Sequence, residues 1–155
     1  MQMDDKSTEQ QVWQRVGAAP APPTQGDISA MYDRCRCREQ TYRKWVRRAA
    51  GPVKWMLQSL VRLEQEEGLC LRGILQMRMI QADRRRFPAD KGSLEQLLPR
   101  YYRESRQLWA DYTALSFDRE VGPVFAALAE QKQIQAAKIM ALRGRLPNIS
   151  EKIQK

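Results

Sequence analysis

Arg38-Glu39-Gln40-Thr41-Tyr42-Arg43-Lys44-Trp45-Val46-Arg47-Arg48 places a Tyr-Arg pair, a tryptophan and a dense set of cations in one short stretch. From Arg34 to Arg48 there are seven Lys/Arg and a single acid. Within the same region Ile28, Met31, Tyr32, Cys35, Tyr42, Val46 and Ala49 recur at helical spacing and form an apolar stripe. The stretch therefore predicts a long helix, greasy along one side and strongly cationic along the rest. Such a helix can pack into a bundle and still present charge to an acidic partner.

Asp27 is a good N-cap for this helix, and Ala50-Gly51 ends it. Pro52 is placed to open a second helix carrying Val53, Met56, Leu57, Leu60, Leu63, Leu71, Ile74 and Leu75. Gly68 and Gly73 weaken that helix by about 1 kcal/mol each relative to Ala and predict a kink near Gly68. Its end is expected in Arg84-Arg85-Arg86-Phe87-Pro88, because the residue before a proline resists helical geometry. Ser93 can cap a third helix with an apolar face of Leu94, Leu97, Leu98, Tyr101, Leu108, Tyr112 and Leu115; Pro99 suggests a start as late as Leu98. Pro123 opens a fourth with Val124, Phe125, Leu128, Ile139 and Leu142, closed by Gly144 and Pro147. No stretch alternates at period two, and no repeat recurs at 20–50 residues. The expected fold is all-α: a bundle of three to four helices over residues 27–147, with an extended or disordered N-terminal arm over 1–26 and a polar tail over 148–155. Gly17 to Gly26 is rich in Pro, Gly and Ala, and Gln11–Val16 can form a short helical turn. Trp13 reads either as an exposed aromatic or as an anchor pressed against a neighbour.

At 155 residues the chain fits one domain with a real core. The formal charge is +9, and residues 1–50, 51–100 and 101–155 each hold nine Lys/Arg and six Asp/Glu. The excess is thus spread over the folded body and favours acidic partners of any kind. Histidine is absent, which removes the commonest general base and metal ligand. Cys35, Cys37 and Cys70 make an odd count that fits a reducing compartment, and a three-cysteine zinc site would need an outside ligand or a carboxylate. No metal site is expected. No apolar run approaches the roughly 20 residues that span a bilayer. Asp4, Asp5 and Glu9 argue against an acid-poor cleaved presequence.

Catalysis has little support: there is no Gly-rich phosphate loop, nucleophile elbow or metal-ligand spacing. Glu64, Glu66 and Glu67 read as a solvated helix face pairing with Arg62. Trp45, Trp55, Tyr101, Tyr102, Trp109 and Tyr112 could stack bases, but aromatics at helical spacing usually pack in a core. Arg84, Arg85 and Arg86 read as solvated surface or, secondarily, as an anion contact.

Tyr42-Arg43-x-Trp45-x-Arg47, with Glu39 before it and Pro52 after it, resembles the Leu-Tyr-Arg signature of the LYR-motif family, small basic helical proteins of mitochondria. The resemblance is strongest to the LYR accessory subunits of respiratory complex I. It covers roughly residues 27–116; Arg72, Arg78 and Arg84–Phe87 resemble the family's basic second helix, and Leu94, Leu97, Leu98 and Trp109 its third. It implies a non-catalytic subunit on the matrix side of the inner membrane that docks mitochondrial acyl carrier protein. The implied contacts are Tyr42, Arg43, Lys44, Arg47 and Arg48, with Arg84, Arg85 and Arg86 as a secondary anionic contact. No cofactor is expected on the chain itself; the partner would present an acyl-phosphopantetheine arm between the helices. The alternatives are a structural protein of a mitochondrial ribosome or its assembly intermediate, and a basic helical nucleic-acid-binding module.

Overall fold

Asp27 caps the first helix by accepting the Ala30 N–H at 3.0 Å. The computed structural model describes residues 27–80 and 86–154, and among these every regular element is helical. The helices are α1 (Ile28–Val46), α2 (Gly51–Met77), α3 (Leu94–Leu115) and α4 (Gly122–Gln154). The α1–α2 turn needs Gly51, whose φ of 62° is easy only for glycine, and Pro52 follows in the first turn of α2. Ser93 and Gln96 form a reciprocal capping box on α3: the Ser93 Oγ accepts from the Gln96 N–H, and the Gln96 Oε1 accepts from the Ser93 N–H.

The buried positions follow a heptad rhythm on every helix. On α1 they are Ile28, Met31, Cys35, Arg38 and Tyr42; on α2, Leu57, Leu60, Glu64, Glu67, Leu71 and Ile74. On α3 they are Leu94, Leu98, Tyr101, Ser105, Leu108 and Tyr112, and on α4 Phe125, Leu128, Lys132, Gln135, Ile139 and Leu142. Each stripe is apolar except near its middle. The result is two apolar clusters with a polar layer between them. The lower cluster joins Ile28, Tyr32, Leu75, Tyr112 and Phe125; the upper joins Tyr42, Leu57, Leu98, Tyr101 and Ile139.

Cluster membership fixes the topology. α1 ends, α2 begins, α3 begins and α4 ends in the upper cluster. α3 therefore runs parallel to α2, and the connection between them traverses the length of the bundle, an arrangement seen in four-helix bundles with one long crossover. Phe87 on this crossover packs edge-on against Tyr32, with ring centroids 5.8 Å apart. Asp90 accepts from both Arg34 terminal nitrogens at 3.0 Å and from the Tyr101 hydroxyl at 2.5 Å, while its N–H donates to Thr41 Oγ1 at 2.7 Å.

Several expected boundaries move. α2 stops at Met77, well before Pro88, because Met79 turns left-handed and ends the helix. No break occurs at Gly68, which packs against α1; a side chain's first carbon there would lie 3.7 Å from Cys35 Sγ and 3.8 Å from Arg36 Cδ. α3 starts at Leu94 and carries Pro99 inside it, because the Ser93 box fixes the start one turn earlier than the proline suggests. α4 passes through Gly144 and Pro147 to Gln154, so the expected polar tail is largely helical. The arm over 1–26, with Trp13, lies outside the described residues, as do Arg84 and Arg85.

Candidate functional site

The polar layer is built from all four helices. The Arg38 guanidinium on α1 donates to Glu64 on α2 at 2.9 and 3.3 Å and reaches Glu67 at 3.5 Å. Lys132 on α4 pairs with Glu67 and lies 3.9 Å from Glu64, and the Gln135 amide donates to Glu64. The Tyr112 hydroxyl on α3 donates to Glu67 at 2.6 Å, and the Cys35 thiol donates to the Glu64 carbonyl at 3.0 Å. Arg38, Glu64, Glu67 and Lys132 are all essentially inaccessible to water. Two carboxylates face two cations, so the layer is neutral. Burial would raise the Glu64 carboxyl, but Arg38, Lys132 and the hydrogen bonds from Arg38 and Gln135 outweigh it and hold its pKa at about 2. Burial, reinforced by Glu67 and Glu64, pushes the Cys35 thiol up, and burial with Glu67 does the same to Tyr112.

Cys35, Glu64 and Glu67 bring one ligand atom each within 4.8 Å of one another. The donor set does not favour a metal: Arg38 and Lys132 already neutralise both carboxylates, and burial keeps the thiol protonated. The Glu64 carboxyl is thus held low and the Cys35 thiol held high. The expectation that Glu64 and Glu67 lie on a solvated face with Arg62 is overturned, because the heptad phase of α2 turns both into the bundle; Glu66 stays outside, where the Gln131 amide donates to it at 3.3 Å.

The outer surface has a different character. The segments that meet in the upper cluster, 43–57, 91–102 and 139–146, hold nine Lys/Arg and one acid, Glu95. Apart from Arg43, these segments bring a local charge of +7, eight Lys/Arg less Glu95, to one end of the bundle, although the excess is spread evenly along the sequence. Arg47, Arg48, Arg100, Arg143 and Arg145 are exposed there. Lys44 and Arg48 flank the half-buried Trp45 ring at 5.8 and 5.4 Å. Trp55, next to Lys54, is 71% exposed. At the opposite end Arg78 pairs with Asp118 at 3.5 Å, and Asp27, Arg119 and Glu120 are exposed.

Tyr42 is fully buried, edge-on to Tyr101 at 5.4 Å. Arg43 points away from the basic end into a groove of about 550 Å³ between α1 and α2, where it donates to the buried Glu39 at 2.8 Å. Arg36, Arg72, Gly68 and Leu69 share that groove. Lys44, Arg47 and Arg48 do belong to the basic end, and Arg86 is exposed. The structure thus divides the five expected contacts into a core tyrosine, a groove arginine and three end-facing cations. Compared with known proteins, the chain matches no protein-family model, no curated protein and no solved structure.

Proposed function

We propose that this chain is a non-catalytic docking module whose basic end receives an acidic protein. The observation that carries the proposal is the convergence of eight cations and one acid, Arg43 left aside, from four helix termini at one end of the bundle. Such a surface steers an acidic partner to it and fixes orientation on arrival. Among acidic partners, the LYR-like segment favours mitochondrial acyl carrier protein, and the host is an inner-membrane assembly on the matrix side, complex I above others. Arg36, Arg43 and Arg72 around the α1–α2 groove supply cations for the phosphate of the carrier's acyl-phosphopantetheine arm.

The test is Arg47→Glu combined with Arg48→Glu. Both side chains are exposed, so helical content is expected to stay intact while co-purification of the carrier is lost. A carrier that still co-purifies at normal yield refutes the docking role. The exposed Trp55 beside Lys54 supports a second reading, a basic helical module or ribosomal protein that stacks bases and neutralises phosphates. That reading requires RNA affinity of the isolated chain to fall steeply with salt; a flat response dismisses it.

A further inference from the structure

Each helix brings polar side chains to the buried layer at a set spacing. α1 gives Arg38, and α2 gives Glu64 and Glu67 at positions i and i+3. α3 gives Glu104, 4.0 Å from the Arg38 guanidinium, and α4 gives a second i, i+3 pair, Lys132 and Gln135. The Tyr112 hydroxyl adds an outer hydrogen bond to Glu67. Bundles with one long crossover that hold two iron or manganese ions draw their ligands from the same places. One acid comes from each of two helices, and a Glu-x-x-His pair from each of the other two. Here the acid positions on α1 and α4 carry bases, and the chain has no histidine for the i+3 places.

The two bases sit where ions would. The Arg38 guanidinium meets Glu64 at 2.9 and 3.3 Å, Glu67 at 3.5 Å and Glu104 at 4.0 Å. The Lys132 ammonium meets Glu67, the Gln135 Oε1 at 3.0 Å and Glu64 at 3.9 Å. Glu64 and Glu67 therefore each touch both cations, as carboxylates bridge the ions of a dimetal centre. The charge agrees as well. Replacing an acid by a base adds two positive charges, so doing it twice adds the four that two divalent ions carry. A cleft of about 220 Å³ between α1 and α3 reaches Arg38 and Glu104 from outside. We propose that the layer is a dimetal carboxylate constellation in which Arg38 and Lys132 hold the places of the two metal ions. The layer lies inside the bundle, away from the basic end, so its test is independent of the docking role.

Mn2+ is the probe, because the ligands around both places are oxygens. In the full chain Lys132→Glu leaves the layer two negative charges in excess, which one Mn2+ neutralises; adding Arg38→Glu leaves four, which two neutralise. Metal counting after desalting should find one bound ion per chain in the first variant and two in the second. Metal-free, both variants should lose helical content or unfold at lower urea, and Mn2+ should restore them, since binding is then coupled to folding. The natural chain, whose places are filled, should unfold at the same urea concentration with Mn2+ or with a chelator. Adding Glu67→Gln to Lys132→Glu removes a bridging ligand and should weaken Mn2+ binding at least about tenfold. Mn2+ that neither binds nor restores helix overturns the proposal, whether or not the metal-free variants fold. Equal ion counts in the two variants, affinity unmoved by Glu67→Gln, or a natural chain stabilised by Mn2+ overturn it too.

Discussion

Glu64→Gln removes one charge from the polar layer with almost no change of shape. Arg38 and Lys132 are then left with Glu67 and, 4.0 Å from Arg38, the more exposed Glu104, so a poorly compensated positive charge is buried among four helices. Breaking a buried ion pair in this way costs about 3–5 kcal/mol. Linkage gives a similar figure. A carboxyl held at about 2 in the folded chain against an ordinary 4.5 contributes roughly 3 kcal/mol at neutral pH, at about 1.4 kcal/mol per unit. Because the folded value is depressed, this contribution is fully present above about 4.5 and is lost as the pH falls towards about 2. A domain with about 5–15 kcal/mol in total loses a large fraction of its stability, and its melting temperature should fall by roughly 6–20 °C. Urea unfolding followed by far-UV circular dichroism measures the loss at neutral pH; repeating it at falling pH should show the natural chain and the Glu64→Gln variant converging. Adding Arg38→Met should cost less than the sum of the two separate changes, since each removes the other's partner. A loss under about 1 kcal/mol at neutral pH, or a gap between the chains that stays constant into acid, refutes the assignment of Glu64 as a buried, ionised member of the layer.

Further outcomes follow from individual contacts. Tyr42, Tyr101 and Tyr112 all have hydroxyls raised above the ordinary tyrosine value of 10.0, by burial first and then by neighbouring carboxylates. The unfolded chain ionises these phenols before the folded one can, so stability should fall as the pH rises past 10.0, and ultraviolet titration should show three phenols that ionise only with unfolding. Gly122→Ala would drive a methyl onto the Ser116 carbonyl oxygen and should cost about 1–3 kcal/mol, whereas Gly73→Ala, with nothing within 4 Å, should gain up to about 1 kcal/mol; paired chemical denaturation curves distinguish the two. Thr41→Val leaves the half-buried Asp90 N–H without its 2.7 Å acceptor, costs about 1–3 kcal/mol, and should speed amide exchange in residues 86–93 before it affects the helices.

The helices were legible because their apolar residues recur at one period. Tyr42, Leu57, Leu98, Tyr101 and Leu128 fall in the core as their spacing demands. The polar layer was missed for a physical reason. Charged side chains are nearly always at the surface, so Glu64 and Glu67 read as solvated when their helix is taken alone, and nothing marks Arg38 or Lys132 as buried. A signal was present: each falls in heptad phase with the apolar residues on either side of it, Arg38 between Cys35 and Tyr42, Glu64 between Leu60 and Leu71, and Lys132 between Leu128 and Ile139. A charge in phase with a core stripe requires an opposite charge at the same depth on another helix, and here acids on α2 answer bases on α1 and α4. The boundaries of α2 and α4 were less legible, since Met79 adopts a glycine-like conformation and Pro147 lies within a helix.

The basic end could not be found from charge counts, because each third of the chain contributes equally and only the topology brings their cations together. The long crossover makes this possible. It sets α3 parallel to α2, so the starts of α2 and α3 meet the ends of α1 and α4. Had a short turn joined α2 to α3, the start of α3 with Lys91 and Arg100 would sit at the lower end, and its far end would bring Asp118 and Glu120 up among the cations of the α1–α2 turn. The surface that fits an acidic partner therefore depends on the Arg34–Asp90–Tyr101 contacts that pin the end of the crossover.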